Sequence, residues 1–191
     1  MTTTAPSAER LADCAPTFRH AIRRDTKSEH DALEAQFAPF MTAPERHLSW
    51  FLATQYAALG ALLASRPVEA ERMLSGLLLT ELVGRLRFDL ENRGVIAPAI
   101  KSADENLDGV AIDYLVLGSR LGTETMRRRL FADHQREAIP QYFLIGTMPE
   151  LWQRHCAELN NIDVGSDRAA TVVQDTKAGF AIFARAALTQ A

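Results

Sequence analysis

The chain has 191 residues, 47% of them apolar, and a net charge of −3. That is enough apolar material for one domain with a single core, and it argues against the global basicity that nucleic acid or an anionic membrane calls for. Two cysteines, Cys14 and Cys156, without Cys-x-x-Cys spacing argue against a disulfide scaffold and point to a reducing compartment. No apolar run reaches the roughly 18–20 residues of a membrane span. Met1–Ala15 also lacks the apolar centre of a signal peptide. The expectation is a cytoplasmic protein with no membrane or nucleic-acid partner.

Residues 1–15, rich in Thr, Ala, Ser and Pro, read as a flexible leader, and 16–191 as one helical domain. Pro16-Thr17-Phe18 opens a helix carrying Phe18, Ile22, Leu33 and Phe37, expected to end before Pro39. Pro44-Glu45-Arg46 starts the next, with proline suited to a first turn and glutamate to the helix dipole. Its apolar set, from Leu48 and Phe51 to Leu63, has helical spacing, and it stops near Ser65-Arg66-Pro67. A third helical stretch covers roughly 68–92, with Gly94 placed as its C-terminal stop. Residues 95–108 read as a loop. Then come a helix over 109–130, two shorter pieces at 132–144 and 149–160, and a break at 163–166. A last helix over 167–189 carries Val172, Phe180 and Phe183. There is no period-2 alternation and no hairpin signal. The fold expected is all-α, a single-domain multi-helix bundle of six to eight helices.

Two glycines stand out inside the 109–130 helix, in Leu115-Val116-Leu117-Gly118-Ser119-Arg120-Leu121-Gly122-Thr123. A glycine in a helix interior costs roughly 0.5–1 kcal/mol relative to alanine. Spacing of i and i+4 puts both bare backbone patches on one side. Either another helix or a flat ligand approaches that side closely; helix packing through Gly-x-x-x-Gly is the generic alternative.

On the first helix, Arg23 precedes His30 by seven residues and Glu34 follows it by four. All three lie near one stripe, with Arg23 and His30 about 10 Å apart along the axis. A metal-bound histidine commonly has a carboxylate partner for its second ring nitrogen, so a flat, anionic metal complex fits this spacing. A solvated His–Glu pair is the plainer alternative. His20, His47, His134 and His155 form no His-Glu-x-x-His pair, which argues against a hydrolytic zinc site. Cys156 reads as a core thiol. Arg127-Arg128-Arg129 reads as a solvated basic face, or as a docking patch for an acidic redox partner.

Several segments together resemble the heme oxygenase family in its bacterial, soluble form. They are Arg23-x-x-Thr26-Lys27-x-x-His30-x-x-x-Glu34, Trp50-Phe51-Leu52 through Tyr56, and Leu86-Arg87-Phe88-Asp89-Leu90 before Gly94. With them go Tyr114 through Gly122 and Thr176-Lys177-Ala178-Gly179-Phe180. The glycine segment is the most specific of these. The family usually reads Tyr-Val-x-Glu-Gly-Ser-x-Leu-Gly-Gly there, and this chain has Leu117 and Thr123 at two of those places. The resemblance implies a heme oxygenase-like bundle with heme between the first helix and the glycine helix. In it His30 would ligate iron and Glu34 would contact His30. Arg23 would meet a propionate, with Arg154 and Lys177 as further candidates. Thr26, Tyr114 and Phe180 would line the heme site, and Gly118, Ser119 and Gly122 would form the catalytic distal surface.

The implied activity is oxygen-dependent degradation of heme, at once cofactor and substrate, to biliverdin, CO and Fe2+. Electrons would come from an external donor such as a ferredoxin or a flavoprotein reductase. The alternative is a protein on the same fold that carries or senses heme without turning it over. A more distant one, a thiaminase-like helical enzyme, needs a nucleophilic cysteine, for which Cys156 is the candidate.

Overall fold

Thr26 breaks the first expected helix in two. In the computed structural model, which describes residues 17–66, 73–101 and 106–190, α1 runs Phe18–Asp25 and α2 runs Lys27–Thr42. Thr26 leaves helical geometry at φ −112°, ψ 8°, and its hydroxyl donates back to the Ile22 carbonyl at 2.8 Å. Such a bond to the preceding turn bends helices. At the other end, α2 runs through Pro39 instead of stopping before it. Pro39 lies in the last turn, so it removes one ladder bond, and both it and Ala35, whose carbonyl loses that bond, are exposed to water.

The remaining helices are α3 (Pro44–Ala64), α4 (Gly76–Asn92), α5 (Gly109–Leu130), α6 (Gln141–Leu144), α7 (Pro149–Asn160) and α8 (Asp167–Thr189). With one 3-10 turn at Arg136–Ala138 and no strand among the described residues, the chain is an all-α, multi-helix bundle. None of the helices in the described residues is long and apolar enough to cross a membrane. The helix expected over 132–144 is reduced to the 3-10 turn and the single turn α6. There Ile139, Tyr142, Phe143 and Ile145 plug into the core as an irregular segment. The leader at 1–15 and the expected start of the third helix at 68 lie outside the described residues.

α3 is buried along most of its length, at every position from Phe51 to Leu62 except Ala57. A helix apolar on all sides belongs inside, and α3 packs against α2, α4 and α8. Phe40 and Phe51 stack at its side with centroids 4.3 Å apart, and Phe143 stacks on Phe51 at 5.8 Å. A smaller cluster of Phe18, Ile22, Ala111, Leu159 and Val172 ties α1 to α5, α7 and α8.

Two contacts fix α5 against α8, and so the wall of the site described below. A Cβ added at Gly179 would lie 2.1 Å from Leu115 Cδ1. Gly179→Ala therefore forces the buried Leu115 side chain aside, and we expect a loss of about 1–3 kcal/mol in denaturant unfolding. At the helix starts, the Asp108 side chain accepts from Val110 N at 2.8 Å and pairs with Arg168, while its own N–H donates to Asp175 Oδ2 at 2.7 Å. Asp108→Ala removes the cap and the ion pair together. It should lower the urea midpoint by an amount equivalent to about 1–2 kcal/mol with an unchanged slope.

Candidate functional site

A cleft opens between α2 and α5, with about 900 Å3 of empty space counting its open mouth. His30 and Glu34 come from α2, Tyr114, Gly118, Ser119 and Gly122 from α5, and Phe180 from α8; all seven line it. A mouth continuous with it is lined by Arg23, Thr26 and Lys27, together with His30 and Tyr114.

The His30 side chain is 54% exposed. Its ring stands edge-on to Phe180, with centroids 5.9 Å apart and planes at 85°. Nε2 is 3.8 Å from Glu34 Oε1 and Nδ1 is 3.9 Å from Asp31 Oδ1. Both distances are too long for hydrogen bonds. The ring is thus guided by two carboxylates but committed to neither, which leaves its nitrogens open to a ligand.

Opposite lies the glycine face of α5. A Cβ added at Gly122 meets nothing within 4 Å, and one at Gly118 meets only the Trp152 ring at 3.9 Å. Close packing of a second helix is therefore not what the pair accommodates: Gly122 faces open space, and Gly118 has only an ordinary contact with Trp152, itself a residue of the cleft lining. The glycine that does allow two helices to approach is Gly179.

Beyond the glycines, the α5 wall carries hydroxyls. Ser119 Oγ donates to the Val116 carbonyl at 2.8 Å and Thr123 Oγ1 to the Ser119 carbonyl at 2.9 Å. Their protons are held by the backbone, and their oxygens remain acceptors. Thr123 Oγ1 also lies 3.4 Å from the Tyr142 hydroxyl, which donates to Gln55 Oε1 at 3.1 Å. Tyr142 is held in place by Asp89, a buried carboxylate on α4 that accepts from the N–H groups of Gln141 and Tyr142, each at 2.8 Å. Burial pushes the Asp89 carboxyl up, and those two N–H groups pull against it. Behind Tyr142, the buried Arg120 guanidinium sits 4.6 Å from the ring centroid and has no hydrogen-bond partner among the described residues. Cation–π attraction to Tyr142 is the interaction it makes there.

At the mouth, Lys27 is paired with Asp31, whereas Arg23 is exposed and makes no ion pair among the described residues. Burial pushes the Tyr114 phenol up, opposed by a hydrogen bond with Thr26 and the charge of Arg23.

Arg154 and Lys177 are not brought to the cleft. Lys177 lies on α8 one turn before Phe180, but its ammonium is drawn to Glu29 at 3.3 Å. Arg154 is two residues from Trp152, so it projects from a different face of α7 and is exposed. Neither lines the cleft or its mouth. Leu117 belongs to the core, whereas Thr123 lines the cleft. Cys156 is buried away from it, so no thiol among the described residues lines the cleft.

The lining residues that sequence reasoning missed are chiefly Gln55, Tyr142 and Trp152. The apolar wall of Leu33, Phe37, Phe51, Met126 and Phe183 shows in the sequence only as helical periodicity, which does not separate a cleft wall from a core. Together, the cleft and its mouth present a half-exposed imidazole, a bare helix face, apolar walls and an exposed arginine. No family model, no curated protein and no solved structure matches this chain.

Proposed function

We propose that the chain is a heme oxygenase: it would bind heme in the α2–α5 cleft, with His30 as the residue that would hold its iron. It would degrade heme with O2 and electrons from an external donor to biliverdin, CO and Fe2+. One observation carries this reading. His30 stands on one wall with both ring nitrogens unbonded, and the facing wall bears two glycines whose missing side chains would project into the same space.

The residues present fit the group. Imidazole is a ligand that suits iron, Arg23 is the free cation placed for a propionate, and the apolar walls suit the faces of a porphyrin. When bound, heme supplies the iron that activates O2 and is itself the ring that is opened. The chain's own residues do the rest. Phe180 and Glu34 restrict the His30 ring, and the apolar walls exclude water. Gly118 and Gly122 leave room beside the helix backbone. Ser119 Oγ and Thr123 Oγ1 accept hydrogen bonds from whatever occupies that room, and Tyr142 Oη holds its proton on Gln55. The electron donor would approach a basic end of α5. There Glu124 engages Arg127 and Arg128 at 2.8 and 2.7 Å, and its carboxyl is held down to about 2, while Arg129 stays exposed.

A second reading, a heme carrier or sensor, is favoured by the absence of any carboxylate among the α5 residues that line the cleft. Turnover separates the two. Hemin is added to the protein, followed by ascorbate or reduced ferredoxin. A Soret band that forms and then bleaches into a biliverdin band supports the oxygenase; a Soret band that persists supports the carrier.

A further inference from the structure

α5 and α7 carry a second group of ligand atoms, outside the cleft. His155 and Glu158 are three apart on α7 and so share a face, and Asp113 comes from α5. One ligand atom of each lies within 4.8 Å of those of the other two. His155 has no solvent exposure, and neither of its ring nitrogens has a hydrogen-bond partner among the described residues. Buried polar atoms are nearly always satisfied, so an imidazole with two orphaned nitrogens beside two carboxylates is incomplete as it stands. The Asp113 carboxylate is already oriented, with Oδ1 accepting from Ser75 N and Ser75 Oγ and Oδ2 from Leu74 N. Oδ2 thus keeps a lone pair. Glu158 is exposed and provides a path from solvent.

We infer that Asp113, His155 and Glu158 form a binding site for a first-row divalent cation of the Zn2+ and Fe2+ class. One nitrogen and two oxygen donors with imidazole among them favour such an ion over Mg2+ or Ca2+, and three protein ligands leave a position for water. The centre of a triangle no wider than 4.8 Å a side lies within about 2.8 Å of each corner. Inward movements of about 0.7 Å therefore reach ordinary bond lengths of about 2.0–2.2 Å. Burial keeps the His155 pKa down to about 4, so the imidazole is neutral and its lone pair available at pH 7. Arg154, whose charge reaches Glu158, is the competing cation, and it is exposed.

The inference does not rest on heme binding. Its test uses the untagged, metal-stripped full chain and Co2+ as the probe, read by its visible d–d bands, with Zn2+ as competitor. The expected result is one equivalent bound and displaced by Zn2+. Glu158→Gln, at an exposed position that leaves the fold intact by circular dichroism, should weaken Co2+ binding at least about tenfold. His155→Gln should do the same. A His30→Ala control removes the other cluster with suitable donors, His30, Asp31 and Glu34, and should leave the Co2+ spectrum as it was. Absence of stoichiometric Co2+ binding overturns the inference. So does binding that survives Glu158→Gln, or binding lost with His30→Ala.

Discussion

His30→Ala should reduce heme turnover at least about 100-fold and remove the Soret band of the hemin complex while leaving the fold intact. The direction follows from what the side chain does in the protein. It is half exposed, makes no hydrogen bond and touches the core chiefly through the edge of Phe180. Its loss therefore should change stability by no more than about 0.5 kcal/mol, as for most surface substitutions. On the proposed role of His30 as the iron ligand the loss in function should be far larger, because even the partners of metal ligands are worth about 10–100-fold. Added imidazole should restore the spectrum by occupying the space the substitution leaves. Hemin titration followed by absorption, with circular dichroism as the control on folding, checks both halves. A wild-type Soret band in the variant would remove His30 as the ligand.

Substitutions at the glycine pair separate stability from function in the opposite direction. At Gly122 a Cβ has open space, and at Gly118 its nearest neighbour is an ordinary contact with Trp152. Gly122→Ala should therefore stabilise the chain by about 0.5–1 kcal/mol, through the lower entropy of its unfolded state and better helix propensity. Gly122→Leu projects a full side chain into the cleft, and hemin affinity should fall at least about tenfold with no loss in melting temperature. If the pair served helix packing, alanine would destabilise, as expected at Gly179, where the added Cβ runs into Leu115. Thermal melts of Gly118→Ala, Gly122→Ala and Gly179→Ala give the signs directly.

Much of the frame was legible because its helices announce their ends. Asp108 caps α5, Pro149 opens α7, and Ser166 caps α8 with its side chain accepting from Ala169 N. All three helices start at the bounds the sequence pattern predicts, 109, 149 and 167. The break at Thr26 was not legible. The apolar spacing of Phe18, Ile22, Leu33 and Phe37 continues across it, and what bends the chain is one hydroxyl bonded to the turn before. Nor was the irregular segment over 132–144, whose aromatic residues serve the tertiary core and not a helix face.

In the site, local spacing was enough to pair His30 with Glu34 and Gly118 with Gly122. Only the fold could show that both pairs face one cleft. Gln55, Tyr142 and Arg120 meet through contacts between α3, α5 and α6, which no local pattern encodes. For the same reason the sequence does not show that Lys177, one turn from Phe180 and a further propionate candidate by resemblance, is drawn to Glu29 instead.

The central claim, that this cleft receives heme with His30 on its iron, is tested most directly by titrating the wild-type chain with hemin and recording the Soret region. A saturable band at one equivalent, with the position of a histidine-ligated heme and absent from His30→Ala, is the predicted result. A spectrum that stays that of free hemin at stoichiometric protein would contradict it.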